Sequence, residues 1–230
     1  MIEDIINKNR ELFDWAKKNM DQEKHTNPYL IIPDEQYQRA PFKVLVLGKE
    51  TNGWGESEKC ASVEDLEELY RDKVLKKTIW GCGSTFWDFY FDYVKPISEN
   101  AAHDIGICVS NVALVGYNGK KGYNTEYSNK LIGFLKDYLK ILAPDAIICF
   151  TGFGTATHTE NDYLKILEPI FGKYSGDKDI LLSPHCNWPM RKLSFASSGN
   201  IEIYGTRHPQ HTSRKWKESM SQAILQHIVP

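Results

Sequence analysis

The 230-residue sequence has no long apolar run and no features typical of an exported protein. No segment approaches the ~18 to 20 consecutive apolar residues that a membrane-spanning helix needs. The first thirteen residues carry a charged side chain every few positions, which is not the pattern of a signal peptide. We therefore expect a cytoplasmic location and no membrane partner.

The sequence has few cysteines, and their spacing suggests no paired motif. The five cysteines are odd in number and include no C-x-x-C pair, which favours reduced thiols over a disulfide framework. His208 and His211 form an H-x-x-H pair, but a zinc site needs three or four converging ligands. The Gly152-x-Gly154 turn lacks the third glycine and the downstream acid of a dinucleotide site. We expect no metal and no cofactor. The cysteines are Cys60, Cys82, Cys108, Cys149 and Cys186.

Net charge is also small, at −2, which argues against a strong non-specific nucleic-acid binder. The charge is unevenly distributed, however. Residues 1–74 hold 11 basic and 16 acidic side chains, or −5, whereas residues 191–230 hold six basic and two acidic ones, or +4. A basic carboxyl-terminal region could steer a polyanion to the protein. An ordinary solvated surface explains the same charges.

The hydrophobic content of 41% and the aromatic content of 12% are those of a globular protein. Apolar patterns predict helices over 2–19, 62–76, 86–94, 127–142 and 162–171, and a last helix capped by Thr212 or Ser213. They predict strands at 43–47, 105–115, 146–150 and 180–182, and either a hairpin or a strand after a loop at 193–196 and 201–204. Alternating strands and helices predict one α/β domain over 1–230, a three-layer α/β/α sandwich with a four-stranded, mostly parallel central sheet. Residues 1–40 form an amino-terminal helix and linker.

The chain is organised around residues 43–55, with the sequence KVLVLGKETNGWG. A buried strand runs to Gly48 and then into a polar loop that carries Glu50 and Asn52. Asn111 interrupts the second buried strand, and His208 follows the last one. Because the carboxyl ends of parallel strands share one edge of a sheet, we expect Glu50, Asn111 and His208 to meet in one cleft.

An acid, an amide and an imidazole in one cleft suit the hydrolysis of a glycosidic bond to a base. The carboxylate can stabilise an oxocarbenium-like sugar and hold a water. The amide can pair with a pyrimidine edge, and the imidazole can donate to the oxygen that gathers charge on the departing base. An aromatic ring can stack on the extruded base for roughly 1 to 3 kcal/mol.

Five segments resemble motifs of the uracil-DNA glycosylase superfamily, in the same order and with similar spacing. The resemblance extends from about residue 43 to residue 213 and implies that family's fold. The segments are GKETNGW, IWGCGSTFW, ICVSNVALVGYNGK, LKILAPDAIICFTGFG and YGTRHPQHTS.

The resemblance implies a role for each candidate residue. Glu50 falls at the site that positions the water, Asn111 at the base-reading amide and His208 at the leaving-group electrophile. Trp80, or failing that Phe86, falls at the stacking ring. Ser213 would lie near a phosphate at a helix start, and Gln210 or His211 would fill the vacated stack. Apart from the resemblance, Lys120 in its glycine-rich loop is either a phosphate contact or an ordinary solvated residue.

The sequence also departs from the family pattern. Glu50 is one methylene longer than the usual aspartate, and Asn52 stands where a tyrosine excludes thymine. The apolar wedge after the last motif is missing at Gln210. The cysteines do not match the four ligands of the family's iron–sulfur branches, so we expect no cluster.

Structural explanations exist for the same residues. Glu50 could pair with Lys49, Asn111 could be bonded within the core, and His208 could bond the loop backbone. Trp80 and Phe86 belong to an aromatic segment whose default role is core packing.

The leading hypothesis is a monomeric, monofunctional DNA glycosylase that flips a pyrimidine, most simply uracil. A binding module that holds nucleic acid or a free base without turnover is the second hypothesis. A small-molecule hydrolase or nucleotide-binding enzyme is the third.

Overall fold

The computed structural model describes residues 1–50, 54, 60–79, 81, 84–100, 104–117, 120–123, 128–151, 164–180, 190–210 and 212–228. For a few of these residues, including Glu50 and Lys120, it describes the backbone alone. Within this part, the protein is an α/β fold with a six-stranded mixed sheet and surrounding helices.

Four of the six strands are parallel neighbours. β1 (Phe42–Glu50) lies between β2 (Ile105–Ala113) and β5 (Ala146–Cys149), and β8 (Glu202–Gly205) lies beyond β5. β7 (Met190–Phe195) and β6 (Tyr174–Ile180) continue the sheet as antiparallel strands. A separate hairpin joins β3 (Gly116–Tyr117) to β4 (Lys120–Tyr123).

The predicted count of four strands is therefore wrong, because the sheet has six. The antiparallel strands β7 and β6 extend the four parallel ones and make the difference, and β6 has the polar, mostly exposed sequence YSGDKDI. A strand at an open edge needs no apolar run, so hydrophobic patterning gives no signal there. Arg191 of β7 holds β6 by ion pairs of 2.9 Å to Asp177 and to Asp179. The predicted strand at 180–182 overlaps β6 at Ile180, its last residue, while 181–182 lie outside the described residues. The predicted hairpin is confirmed as β7 and β8.

The described helices agree broadly with the predicted ones. They are α1 (Ile2–Asn19), α2 (Glu35–Arg39), α3 (Val63–Tyr70), α4 (Thr85–Phe89), α5 (Lys95–Glu99), α6 (Ser128–Leu142), α7 (Leu164–Phe171) and α8 (Arg214–His227). π-helical turns follow α3 at Arg71–Leu75 and α4 at Tyr90–Val94. None of the described helices is long and apolar enough to cross a bilayer.

Capping residues begin two of these helices where the sequence predicts. Ser62 and Asp65 form a capping box, in which each side chain accepts a bond from the other residue's backbone N–H. Ser213 caps α8 by accepting from Trp216 N–H at 3.2 Å. Thr212, the alternative cap, instead donates its hydroxyl to the carbonyl of Pro209.

An aromatic cluster fixes α4 against the sheet. Phe89 packs on Phe150, just after β5, with ring centroids 5.1 Å apart, and on Trp216 of α8 at 5.7 Å. Phe89 and Phe150 are fully buried. Because Phe86 precedes Phe89 by one helical turn, this packing holds Phe86 near the carboxyl ends of the parallel strands.

Candidate functional site

The carboxyl ends of β1 and β5 form the point where the chain changes direction across the sheet. The connection from β1 leads to β2 on one side, and the connection from β2 crosses over β1 to β5 on the other side. In open α/β sheets, ligands bind at such a switch point. Gly48, near the end of β1, therefore lies where a ligand is expected.

Asn111 lies directly beside Gly48 on the neighbouring strand. The two residues are partners in the β1–β2 register, and Asn111 is only 9% exposed. A Cβ built on Gly48 would come within 2.5 Å of Asn111 Oδ1. In the described part of the chain, the Asn111 side chain has no hydrogen-bond partner. An amide that is 9% exposed and has no described partner is available to bond a ligand.

Phe86 of α4 lies next to the same position of Gly48. Its ring would meet a Cβ on Gly48 at 3.2 Å from Cζ. The ring lies nearly parallel to the imidazole of His208, with centroids 6.0 Å apart and an angle of 21°, and edge-on to Phe150 at 6.5 Å. The position of a Gly48 Cβ is therefore bounded by the Asn111 amide and by the Phe86 ring, which in turn stacks on His208.

His208 is held as a neutral donor. Burial, with a smaller contribution from the Lys49 ammonium, lowers the pKa of His208 from 6.5 to about 4. Its Nδ1 accepts a hydrogen bond from the backbone N–H of Gln210 at 3.2 Å. A neutral imidazole whose Nδ1 accepts carries its proton on Nε2, so Nε2 is available to donate.

The other candidate residues are only partly described. Glu50 is the last residue of β1, where its backbone pairs with Ala113, and its side chain lies outside the described residues. Lys120 begins β4, and its side chain is likewise not described. The predictions for Trp80, Asn52 and His211 fall outside the described residues.

Gln210 contacts His208 of the site, whereas Ser213 makes a local bond as the cap of α8. Gln210 is exposed and contacts His208 through its backbone N–H. The exposed Ser213 hydroxyl accepts the Trp216 N–H as the cap of α8, which leaves its own proton free to donate. The structure thus brings together Asn111, Phe86 and His208, with Gln210 behind the histidine.

Two neighbours were not predicted as site residues. Gly48 was predicted to end its strand, but β1 continues to Glu50, and the glycine instead provides room for Asn111 and Phe86. Its position between an apolar run and a polar loop was the available signal. Lys49 was considered only as an ion-pair partner, and nothing in its sequence context marks it as a neighbour of His208.

Three buried hydroxyls lie at the same edge of the sheet. Ser110, Thr151 and Thr206 lie on β2, after β5 and after β8, and each is at most 1% exposed. Their oxygens have no hydrogen-bond partner in the described part of the chain. The edge is therefore richer in polar groups than a purely structural core would be.

A cavity lies elsewhere, along the middle of the outer edge of β2. Its volume is about 280 Å³, including the part open to solvent. Its lining includes Cys108, Tyr70 and Tyr90, and the ion pair of Asp34 with Lys95 at 2.9 Å. None of the candidate residues lines it, so size alone does not make it the base site. Within the described residues, no group of three or more His, Cys, Asp or Glu could hold a metal ion.

Comparisons with protein-family models, with curated proteins and with solved structures found no match for this chain. The geometry at Gly48 is therefore the basis for a functional proposal.

Proposed function

We propose that this protein is a DNA glycosylase related to the uracil-DNA glycosylase superfamily. It flips a pyrimidine, most simply uracil, out of DNA and hydrolyses its N-glycosidic bond in base-excision repair. We further propose that the helices and sheet form that family's three-layer α/β/α sandwich in a single monomeric domain. The observation that carries the proposal is the meeting of Asn111, Phe86 and His208 around Gly48.

Asn111 is proposed to read the base. Its amide offers a donor beside an acceptor, which matches the O4 acceptor and the N3–H donor of uracil. The absence of a described protein partner for this buried side chain supports the role, since a structural asparagine would be bonded.

Asn9 provides the contrast within the same protein. Its side chain bonds Ile31, Glu67 and Tyr138, as expected for a structural residue.

Phe86 is proposed as the stacking platform. A base on its ring would gain roughly 1 to 3 kcal/mol, which is comparable to the few kcal/mol needed to extrude a nucleotide. The packing of Phe89 and Phe150 beneath it supports this role, because a platform must not move when the base arrives.

His208 is proposed to stabilise the departing base. As N1–C1′ breaks, negative charge collects on the base oxygen O2. The neutral imidazole donates its Nε2 proton into a hydrogen bond with that oxygen and does not need to transfer it. Lys49 and burial support this role because both keep the imidazole uncharged.

Glu50 is proposed to complete the reaction on the sugar. Its carboxylate would stabilise the positive charge on C1′ and orient the water that attacks there. Ser213 at the start of α8, Lys120 and the net positive charge of residues 191–230 would hold the DNA backbone.

The test is base release from oligonucleotides that carry uracil, hypoxanthine, xanthine or a mismatch, followed by alkaline cleavage of the abasic strand. We expect cleavage at uracil by the wild type. Glu50→Gln, Asn111→Ala and His208→Ala should each lower the rate far more than they lower stability. Asn129→Ala and His227→Ala, which change exposed side chains of the same types on α6 and α8, serve as matched controls.

Two outcomes would overturn the proposal. Release by wild type at none of the four substrates would remove the activity, and base binding without cleavage would favour a binding module instead. Unchanged release by Glu50→Gln, Asn111→Ala or His208→Ala would remove that residue from the mechanism.

A further inference from the structure

The cavity beside β2 lies at an open edge of the sheet. In the described part of the chain, β2 is an outer strand of the six-stranded sheet and pairs with β1. Ile107, Cys108 and Val109 are consecutive on β2, and all three line the cavity. Because side chains alternate between the two faces of a strand, a cavity that touches three successive residues lies along the strand's edge and reaches its backbone.

The pairing of β1 determines which backbone groups of β2 point out of the sheet. The Leu47 carbonyl points to the β5 side of β1, where it accepts from the Phe150 N–H at 2.8 Å. Successive residues of a strand direct their backbone groups to opposite sides, so Val44 directs its groups to β2. Val44 is the register partner of Ile107, and in a parallel ladder a residue bonds the two residues that flank its partner. The N–H and C=O of Ile107 therefore point away from β1, toward the cavity.

The neighbouring outward carbonyls of β2 are bonded, but the Ile107 groups are not. Tyr70 donates its hydroxyl to the Val109 carbonyl at 3.0 Å. Gln36 donates its side-chain amide to the Ile105 carbonyl at 3.1 Å. In the part of the chain that the structure describes, no hydrogen bond reaches the outward N–H or C=O of Ile107, which is 3% exposed. Buried backbone groups are nearly always paired, so this donor and acceptor require a ligand or a water.

The walls of the cavity suit a small flat molecule. Its lining includes the rings of Tyr70 and Tyr90 and the apolar side chains of Val74 and Leu75. These residues belong to or adjoin the two π-helical turns, and such turns are frequent at functional sites. An apolar cavity of roughly 150 Å³ holds benzene. A cavity of about 280 Å³, part of it open to solvent, therefore admits a single six-membered ring.

The charges around the cavity favour a neutral ligand. Asp34 and Lys95 both line it and pair with each other at 2.9 Å, with side chains 24% and 13% exposed. A charged ligand would meet a partly buried group of its own sign beside the group that attracts it, and would have to compete with this ion pair. Burial raises the pKa of the Cys108 thiol to about 12, so the sulfur in the lining is uncharged as well.

We propose that the β2-edge pocket, the cavity lined by Ile107, Tyr70 and Tyr90, binds a small neutral lactam. The lactam C=O accepts from the Ile107 N–H while the adjacent lactam N–H donates to the Ile107 C=O, and the ring contacts the tyrosines. Main-chain bonds to an open sheet edge are an established source of affinity. The pocket is separate from the site at Gly48. The inference therefore goes beyond the proposed function and depends on neither DNA nor base release.

The test uses 2-pyridone, a lactam with one six-membered ring. It is titrated into the isotope-labelled full chain, and the backbone amide signals are followed by NMR. We expect saturable shifts of the Ile107 and Val109 N–H signals. N-methyl-2-pyridone lacks the donor and benzene lacks both polar groups, so each should bind more weakly by roughly tenfold or more.

Three results would overturn the proposal. No saturable shift at Ile107 would mean that ordered water alone bonds its backbone. Equal binding of 2-pyridone, its N-methyl derivative and benzene would show a cavity that does not recognise the amide. Shifts confined to Gly48 and Asn111 would place the lactam in the proposed base site instead.

A cavity-filling variant tests the location. Leu75→Trp enlarges a side chain of the pocket lining and should abolish the shift at Ile107. Leu225→Trp is the matched control, because Leu225 is also half-buried but lies on α8, away from the pocket, and this variant should bind 2-pyridone as the wild type does. Binding that survives Leu75→Trp would contradict the assignment. The mapping on wild-type protein decides the question even if Leu75→Trp fails to fold.

Discussion

Gly48 and Asn111 are register partners on adjacent parallel strands, and the asparagine Oδ1 lies where a side chain of residue 48 would begin. A Cβ there would approach Oδ1 to 2.5 Å, which real Cβ atoms essentially never do. The Asn111 amide can therefore occupy its position only because residue 48 has no side chain. Any side chain at position 48 must displace Asn111, Phe86 or both.

Gly48→Ala should therefore abolish base release and lower stability modestly. The added methyl forces the amide and the Phe86 ring aside, and overpacking of this kind typically costs about 1 to 3 kcal/mol. The measurements are uracil release and the urea midpoint. Gly133→Ala on α6 is the control, since its Cβ would meet nothing within 4 Å. That variant should be more stable by roughly 0.5 to 1 kcal/mol. Normal base release by Gly48→Ala would show that the amide position is unimportant.

The two buried asparagines should respond differently to truncation. Asn9→Ala removes bonds to Ile31, Glu67 and Tyr138 and should cost about 3 kcal/mol of unfolding free energy. Asn111→Ala removes an amide with no described partner and should leave stability within about 1 kcal/mol of wild type. Chemical denaturation of both variants measures the difference. A large loss in Asn111→Ala would show that the amide is structural.

The lowered pKa of His208 makes the fold sensitive to acid. The unfolded chain takes up this proton near pH 6.5, whereas the folded protein resists protonation until about pH 4. The stability that neutral His208 contributes is thus present above pH 6.5 and is lost as the pH falls toward 4, by on the order of 2 kcal/mol.

Urea midpoints measured across this pH window for wild type and for His208→Gln give the contribution by difference. His227→Gln, at the exposed end of α8, should retain the wild-type pH dependence. Equal pH dependence of wild type and His208→Gln would contradict the lowered pKa.

Lys49 should be a detectable cause of that lowering. Replacing its ammonium by the neutral amide in Lys49→Gln removes a repulsive charge, so the pKa of His208 should rise from about 4 while staying below 6.5, because burial remains the larger cause. NMR titration of the imidazole protons measures the change. Lys43→Gln, at the far end of β1, should leave the titration unaltered, and an unshifted His208 in Lys49→Gln would show that the two groups are not neighbours.

Hydrophobic patterning predicted the parts of the fold that are buried on one or both sides. β1, β2 and α6 have strong apolar runs or periodicity, and the structure confirms them. β6 is polar and mostly exposed, and it joins the sheet by antiparallel pairing with β7, beside ion pairs from Arg191 that sequence periodicity cannot show. The π-helical turn at Tyr90–Val94 has no sequence signature of its own and was predicted as an ordinary helix.

The polar residues at the ends of the parallel strands predicted which side chains would come together. They did not predict which neighbouring residues would hold those side chains in place. Asn111 and His208 each lie at the end of a parallel strand, and the structure brings both to Phe86. The contributions of Gly48 and of the Gln210 backbone depend on distances of a few ångströms between elements far apart in sequence. The roles implied for all the candidate residues remain predictions, and the side chains of Glu50, Trp80, Asn52, His211 and Lys120 lie outside the described part of the chain.

The charged edge of β6 has a consequence for handling the protein at high concentration. Asp177, Lys178 and Asp179 succeed one another along that strand, and charged side chains on an edge strand oppose pairing with a second copy that would extend the sheet. On the opposite margin, the Tyr70 hydroxyl bonds the Val109 carbonyl of β2. Fibrillar self-association through either margin is thereby discouraged, so the purified chain should remain dispersed under conditions in which open-edged sheets aggregate.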